Sequence, residues 1–371
     1  MRTDGLLTVL LPTRNRPHNI LGQLRLFEHY DLSVVVADSS DPDKAREVAA
    51  DMGQRAQFVS YPPEINFFDK IAGAVANIKT PFVLLAADRK ITFPLAAESC
   101  LEFLQEHEDY ISAQGYVIGF SARDDDIDID RVVFFTPTIE DADPLSRHYH
   151  LMRRYQSRQF SLFRTKPLAT AIDQARTVSG AMFQEVMFMN ALVLQGKVGR
   201  LPNILTLQTV EQSFNRLRDI DPLHWFIHDS SSFYDHCAAY RGSLARFLIE
   251  GRMTRLSEPD LLHLLDLVHA LWLHNNFDTG TLNYSVQQLL EGQAPNLPHP
   301  RPPLPWREIQ ADDIVHSRGG TGRYIWRGEV LNAEPREEVR ISQDEVKRIE
   351  EQLDVFFGHG VSGSGPKASL P

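Results

Sequence analysis

Over the first ninety positions, apolar residues fall in two alternating patterns. Unbroken runs, LLTVLLP (6–12), LSVVVAD (32–38), AQFVSYP (56–62) and PFVLLAAD (81–88), end at proline or at polar residues. Runs of this length read as strands buried on both faces. Between them the apolar positions recur three and four apart: Ile20, Leu21, Leu24 and Phe27 in one segment, Phe68, Ile71, Ala72 and Val75 in another. That spacing predicts helices, and the short KAREVAADMG, closed by Gly53, predicts one more. Strand and helix alternating at this pace specify βαβ units, and therefore an α/β domain with a parallel, helix-covered sheet.

Farther along, the pattern predicts a helix from about 96 to 112, then strands at GYVIGFS and RVVFFTPT around the acidic run RDDDIDID. The acidic run reads as a solvated hairpin tip, because a Ca²⁺ loop needs a glycine turn that it lacks. Residues 141–160 read as a basic helix containing RHYHLMRRYQSR, followed by the helix AMFQEVMFMNALVLQGK and the strand GRLPNILTLQ. Past about 220 the chain turns helical, in DPLHWFIHDSSSFYDHCAAYRGSLARFLIEG and in a second segment opened by Ser257 with Glu258 and Asp260 in its first turn. A stiff proline-rich connector, PNLPHPRPPLPW, leads to a last helix whose Ser342 and Glu345 form a capping box. The expected division is a nucleotide-binding domain over 1–215, a helical region over 216–295, a proline-rich linker and C-terminal extension over 296–358, and a disordered tail over 359–371.

The formal net charge of −11 argues against duplex nucleic acid or an anionic membrane as the main partner, while a local basic site for a phosphorylated ligand stays compatible with it. Two distant cysteines, Cys100 and Cys237, point to a reducing compartment. The N-terminal apolar run stops at Pro12, too short for a signal-peptide core, and no window reaches the roughly 18 apolar residues of a spanning helix. A cytoplasmic protein is expected, with peripheral contact to a membrane left open. Oligomeric state is not legible.

Polar residues follow the strands: PTRNRP after the first, DSSD after the second, DRK after the fourth. In a parallel sheet these converge on one edge, where open α/β folds bind ligands. Arg14 and Asn15, Asp38 with Ser39 and Ser40, and Asp88 with Arg89 suit a nucleotide: carboxylates accept from base or ribose, and guanidinium groups grip phosphate. Neither a Gly-x-Gly-x-x-Gly nor a P-loop is present in the expected place.

The blocks TVLLPTRNRPHNILGQL, VVVADSS, FFDKIAGAVANIKTPFVLLAAD and EVMFMNALVLQGKVGRLPNILTLQ resemble a GT-A-fold (Rossmann-like nucleotide-diphospho-sugar transferase) glycosyltransferase. The similarity is to a bacterial branch related to the large inverting family that builds surface polysaccharides, and it spans roughly residues 5–215. It implies a nucleotide pocket lined by Pro12, Thr13, Arg14, Asn15, Asp38, Ser39 and Lys70, with Asp88 and Arg89 beside it. It also implies a nucleotide-sugar donor and a saccharide, lipid-linked or protein acceptor. The family carries Asp-X-Asp after the fourth strand to hold Mn²⁺ or Mg²⁺; this chain has Asp88-Arg89-Lys90. Either the cations replace the metal, or Asp88 binds a divalent ion with phosphate and water completing its shell, or catalysis is lost and the chain is a nucleotide- or partner-binding subunit of a glycan assembly system.

Inverting transfer needs a base for the acceptor hydroxyl. Glu185, the only acidic residue from Thr177 to Leu194, stands where the family's base would fall. An isolated carboxylate there is expected to have a raised pKa. His263, His269 and His274 lack helical ligand spacing for zinc, and no nucleophile-elbow motif supports Ser-His-Asp catalysis. SRGGTGRYIWRG, far downstream, reads as a turn or a lid over the site.

Overall fold

The computed structural model describes residues 5–50, 52, 56–123, 126–134, 136–209, 221–295, 324–326 and 342–358. The proline-rich connector beyond 295, most of the SRGGTGRYIWRG stretch and the tail from 359 lie outside them, as does Asp124–Asp125 of the acidic run. Strands β1 (Leu7–Thr13), β2 (Ser33–Asp38), β3 (Ala56–Ser60) and β4 (Phe82–Leu85) alternate with helices α1 (Pro17–His29), α2 (Pro42–Ala50) and α3 (Phe67–Val75), in the order expected. All four strands are mutually parallel. Next come β5 (Lys90–Thr92), α4 (Pro94–Glu106), β6 (Tyr110–Arg123), β7 (Asp126–Phe134), α5 (Pro144–Arg153), β8 (Leu162–Arg164), α6 (Thr165–Ala175), α7 (Ala181–Gln195) and β9 (Lys197–Thr209). The helices α8 (Pro222–His228), α9 (Ser230–Glu250), α10 (Glu258–Asn276) and α11 (Thr279–Leu290), the strand β10 (Tyr324–Trp326) and α12 (Gln343–Phe357) complete the described elements.

The sheet runs β10-β7-β6-β8-β4-β1-β2-β3, with β9 joining β6 to β5. From β1 the chain builds outward through β2 and β3, then returns to place β4 on the other side of β1. That reversal opens a crevice at the carboxyl ends of β1 and β4. The β1–β4 ladder stops at Leu10–Leu85, so Pro12, still paired with Ala37 of β2, needs no N–H toward β4.

One core lies on the α1 and α4 face of the sheet, and a second lies on the α3, α6 and α7 face, continuing into α9 and α10. Helix α12 joins the first core through Val346, Ile349, Leu353 and Phe356. The Phe356 ring lies where a β-carbon on Gly22 would approach to 2.7 Å, so α1 and α12 touch closely there. Glu345 Oε1 accepts from the Ile204 amide at 2.8 Å, and Arg25 Nη2 donates to the Phe356 carbonyl at 2.7 Å.

Several boundaries differ from the sequence pattern. The helix expected to 112 stops at Glu106, and Tyr110 already belongs to β6. The basic helix expected over 141–160 starts after Asp143, whose carboxylate caps the Ser146 amide, and stops at Arg153. The single helix read across DPLHWFIH…FLIEG breaks at Asp229, which caps Ser232 and starts α9. The segments forming β5, β8, α6 and α11 carried too little periodicity to be foreseen.

Candidate active site

The crevice is built around two carboxylates at strand ends. Asp88 Oδ2 accepts from Thr13 Oγ1 (3.2 Å), the Arg14 amide (3.3 Å) and Arg16 Nη1 (2.8 Å). Asn19 donates to the Asp88 carbonyl at 2.9 Å, and Gln23 donates to the Lys90 carbonyl. Arg16, Asn19 and Gln23 stand at helical spacing, so one face of α1 grips the whole 88–90 turn. None of the three was foreseen from sequence, although that spacing was a visible signal.

Asp38 is completely buried at the end of β2. Its Oδ1 accepts from Ser40, while Oδ2 has no partner among the described residues. Burial pushes its carboxyl up, opposed by the Ser40 hydrogen bonds and the Lys70 charge, with Asp88 pushing it further up. Lys70, also buried, donates to the Thr13 carbonyl at 2.9 Å and to Ser39 Oγ at 3.0 Å. It therefore ties the ends of β1 and β2 together. Burial pulls its ammonium down, against the attraction of Asp88 and Asp38.

Asn15 takes a φ of +58°, a left-handed conformation that asparagine adopts more readily than most residues. Its amide donates to Ser40 at 2.7 Å, and its side chain exchanges two hydrogen bonds with Asp41. The loops after β1 and β2 are thereby locked together. Arg14 and Asn15 are exposed, and Pro12, Thr13, Asp38 and Ser39 are buried at the strand ends. Arg89 is exposed, and Lys90 is only partly so, because successive residues point to opposite sides.

Lys90 Nζ sits 4.7 Å over the Phe160 ring and interacts with Glu185. Burial pulls its pKa down to about 8, with Glu185 opposing the shift. Glu185 lies in the first turns of α7 and accepts from Tyr155 OH at 3.0 Å and from Ser157. Burial pushes its carboxyl above the ordinary range, while Tyr155, Ser157 and Lys90 hold it down. The start of α7 needs Gly180, which has a φ of +81° and lies where a β-carbon would come within 2.5 Å of Trp225. Asn66, capping α3, donates to Gln184 at 2.9 Å and fixes α7 against the crevice.

A divalent ion wants several hard oxygen ligands. Asp88 Oδ2 is already engaged by three donors, Arg16 among them, and Arg89 and Lys90 follow where a second carboxylate would stand. Among the described residues no three His, Cys, Asp or Glu side chains group to hold a metal, His263, His269 and His274 included. Among the described residues, a divalent ion at this turn would have Asp88 as its carboxylate and would take the rest of its shell from phosphate and water oxygens.

Against solved structures, the chain aligns with S. aureus TarS 1-349 in complex with UDP-GlcNAc at a TM-score of 0.52 and 14% identity, over 76% of this chain and 77% of that one. The chain has the GT-A fold. The alignment with the longer S. aureus TarS chain has a TM-score of 0.46 and 15% identity, covering 76% of this chain and less than half, 46%, of that one. A glucosyl-3-phosphoglycerate synthase from Mycobacterium tuberculosis, solved with Mn²⁺, UDP and phosphoglyceric acid, aligns at 0.40 and 14% identity over 64% of this chain and 78% of that one. No family model matches the chain, and no curated protein does. Among the described residues no helix is long and apolar enough to cross a membrane.

Proposed function

We propose that this protein is a glycosyltransferase that moves a sugar from a nucleoside-diphosphate donor to an acceptor hydroxyl, with inversion. The observation that carries the reading is Asp38 Oδ2, a buried carboxylate oxygen at the end of β2 without a donor among the described residues. A buried acceptor left unpaired is costly, and a base N–H or ribose hydroxyl satisfies it. The fold shared with a UDP-GlcNAc complex supports a uridine nucleotide as the first candidate.

On this reading Arg14 and Arg16 meet the diphosphate, with no step assigned to a metal. Glu185 takes the proton of the acceptor hydroxyl; its raised pKa makes it a stronger base than an ordinary carboxylate. Tyr155 and Ser157 aim it, and Lys90 stabilises its charged form. The acceptor is a saccharide, a lipid-linked glycan or a protein.

The test is calorimetric titration of UDP, other nucleoside diphosphates and CMP, each with and without Mn²⁺, together with release of UDP from UDP-sugars. Asp38→Ala is expected to weaken UDP binding at least tenfold. Glu185→Gln is expected to keep UDP binding while lowering transfer by about 10²–10⁴-fold, the usual contribution of a general base. Absence of any nucleotide binding would overturn the reading, and unchanged turnover in Glu185→Gln would remove that residue from the mechanism.

A further inference from the structure

Helix α11 has its polar and apolar faces the wrong way round for a surface helix. The side chains it buries are polar, Ser285 and Gln288. Ser285 Oγ donates to the Thr281 carbonyl at 2.9 Å, and Gln288 Nε2 donates to Tyr284 OH at 3.3 Å. Toward solvent it shows apolar side chains: Val286 is 53% exposed, Leu289 57% and Leu290 83%. Leu282, half-buried, stands four residues before Val286. The spacing of Leu282, Val286 and Leu289, four and then three, lines them up as one stripe, with Leu290 one turn beyond Val286 on its flank. A surface helix normally turns such a stripe toward its own core.

The stripe also lies on a helix without charge. From Thr279 to Leu290 there is no Asp, Glu, Lys, Arg or His, whereas every other described helix carries at least one. Helix α10 exposes Leu267 and Leu271 as well, but His263, Asp266 and His274 stand exposed among them. A helix that lies on a lipid surface has Lys and Arg along its polar face, and α11 has neither. A strongly charged partner protein would find nothing on it to pair with.

A second copy of this chain fits these observations. Two copies, each of net charge −11, repel one another where their acidic surfaces approach. Helix α11 is where they can meet without setting like charges face to face. An uncharged apolar stripe is complementary to itself, as a two-fold interface requires. Depletion of charged residues is also what marks the core of an interface.

We propose that α11 is the contact face of a homodimer, packed against α11 of a second copy about a two-fold axis, with Val286 at the middle of the seam. The interface is independent of the glycosyl-transfer reading, because Asp38, Asp88 and Glu185 all lie outside α11. One twelve-residue helix offers less than the roughly 800 Å² per partner of a standard interface, so the expected dissociation constant is micromolar.

The test is sedimentation velocity of the full chain from about 1 to about 100 µM, a range that brackets such a constant. The wild type should shift from the monomer mass toward twice that mass. Val286→Glu and Val286→Lys, each alone, should weaken association at least tenfold, because each sets like charges against one another across the seam. An equimolar mixture of the two should recover the dimer, since opposite charges then meet. An unchanged melting temperature for each variant, expected at a half-exposed position, reports correct folding. If neither Val286 variant folds, Leu290→Glu at the most exposed position decides. A wild type that stays monomeric throughout overturns the interface. A dimer that persists in the folded variants places the contact elsewhere and overturns it as well. A mixture that remains monomeric removes the pairing of α11 with its own copy. A wild type that is monomeric in solution but sediments with phosphatidylcholine vesicles makes the stripe a lipid-docking face instead, and the proposal falls.

Discussion

Acid should destabilise this fold through two histidines that have no contact with the crevice. His148 of α5 is fully buried and His269 of α10 is 4% exposed, with ring centroids 6.3 Å apart. His148 Nδ1 lies 2.5 Å from Asn190 Oδ1. The Asn190 amide nitrogen already donates to the Val186 carbonyl and to Tyr240 OH, so its oxygen must accept and Nδ1 must carry the proton. Nε2 of each ring is buried without a partner among the described residues, and a second proton on His148 would have to sit there. Burial pulls His148 down to about 4, against the Asn190 hydrogen bond, and pulls His269 down to about 3, helped by the nearby His148 and Arg241.

Both folded values lie below the unfolded value of about 6.5. The unfolded chain therefore binds more protons below that pH. The stability these neutral rings contribute is full above about 6.5 and is lost as pH falls toward 4 and 3. At pH 5 the gap from 6.5 is about 1.5 units, worth about 2 kcal/mol for each ring and about 4 for the pair. A typical total is only about 5–15 kcal/mol. Urea unfolding followed by far-ultraviolet circular dichroism should show a midpoint about 1 to 2 M lower at pH 5 than at pH 8. His269→Phe, close in size and beside Tyr240, should show about half that shift. A wild-type midpoint that holds at pH 5, or the same shift in the variant, would refute the reasoning.

Leu353→Ala should cost about 3–5 kcal/mol in urea unfolding at neutral pH, because this fully buried side chain anchors α12 in the sheet core; a loss below about 1 kcal/mol would mean α12 is not part of the folding unit. Tyr155→Phe removes a donor that holds the Glu185 pKa down, so the acid limb of the transfer rate should move up by about one pH unit while the plateau stays within a few-fold. A limb that does not move would separate Tyr155 from the base.

The strands were legible because burial on both faces leaves continuous apolar runs, and the polar residues at their ends were legible because Thr13, Asp38 and Asp88 follow those runs closely. What escaped depends on long-range pairing. The three-residue β5 is a strand only because it pairs with Thr206–Gln208 of β9, and that pairing sets which way Arg89 and Lys90 face. RHYHLMRRYQSR reads from its sequence as a basic helix, but its Arg147 and His148 are buried. Arg147 donates to the Val193 and Leu194 carbonyls at 2.6 and 3.0 Å, closing the C-terminal end of α7, where a cation is favoured. Nothing local in the sequence separates such an arginine from an exposed one; the carbonyls it meets lie more than forty residues downstream.

The carboxylate followed by two cations at the end of β4 is better understood through Arg16 than through Arg89. Asp88 gathers Thr13, the Arg14 amide and Arg16 onto one oxygen, so its charge orients the loop after β1. The charges acting on Lys70 at this point are Asp88, Asp38, Arg14 and Arg16. With Lys70 itself that makes three cations against two carboxylates, a local balance of +1 in a chain of net charge −11. A surplus of positive charge within a few ångströms matters more to a bound anion than a distant negative field that salt screens. Lys90, which in a run of consecutive charges would be grouped with this set, instead sits over Phe160 and interacts with Glu185. The edge is thereby divided into a cationic half beneath β1 and β4 and a charge-balanced Lys90–Glu185 half, which is the division the proposed transfer needs. Replacing a second acidic residue with Arg89 and Lys90 is consistent with that division, because an acid at position 90 would place a like charge against Glu185 and push its pKa higher still.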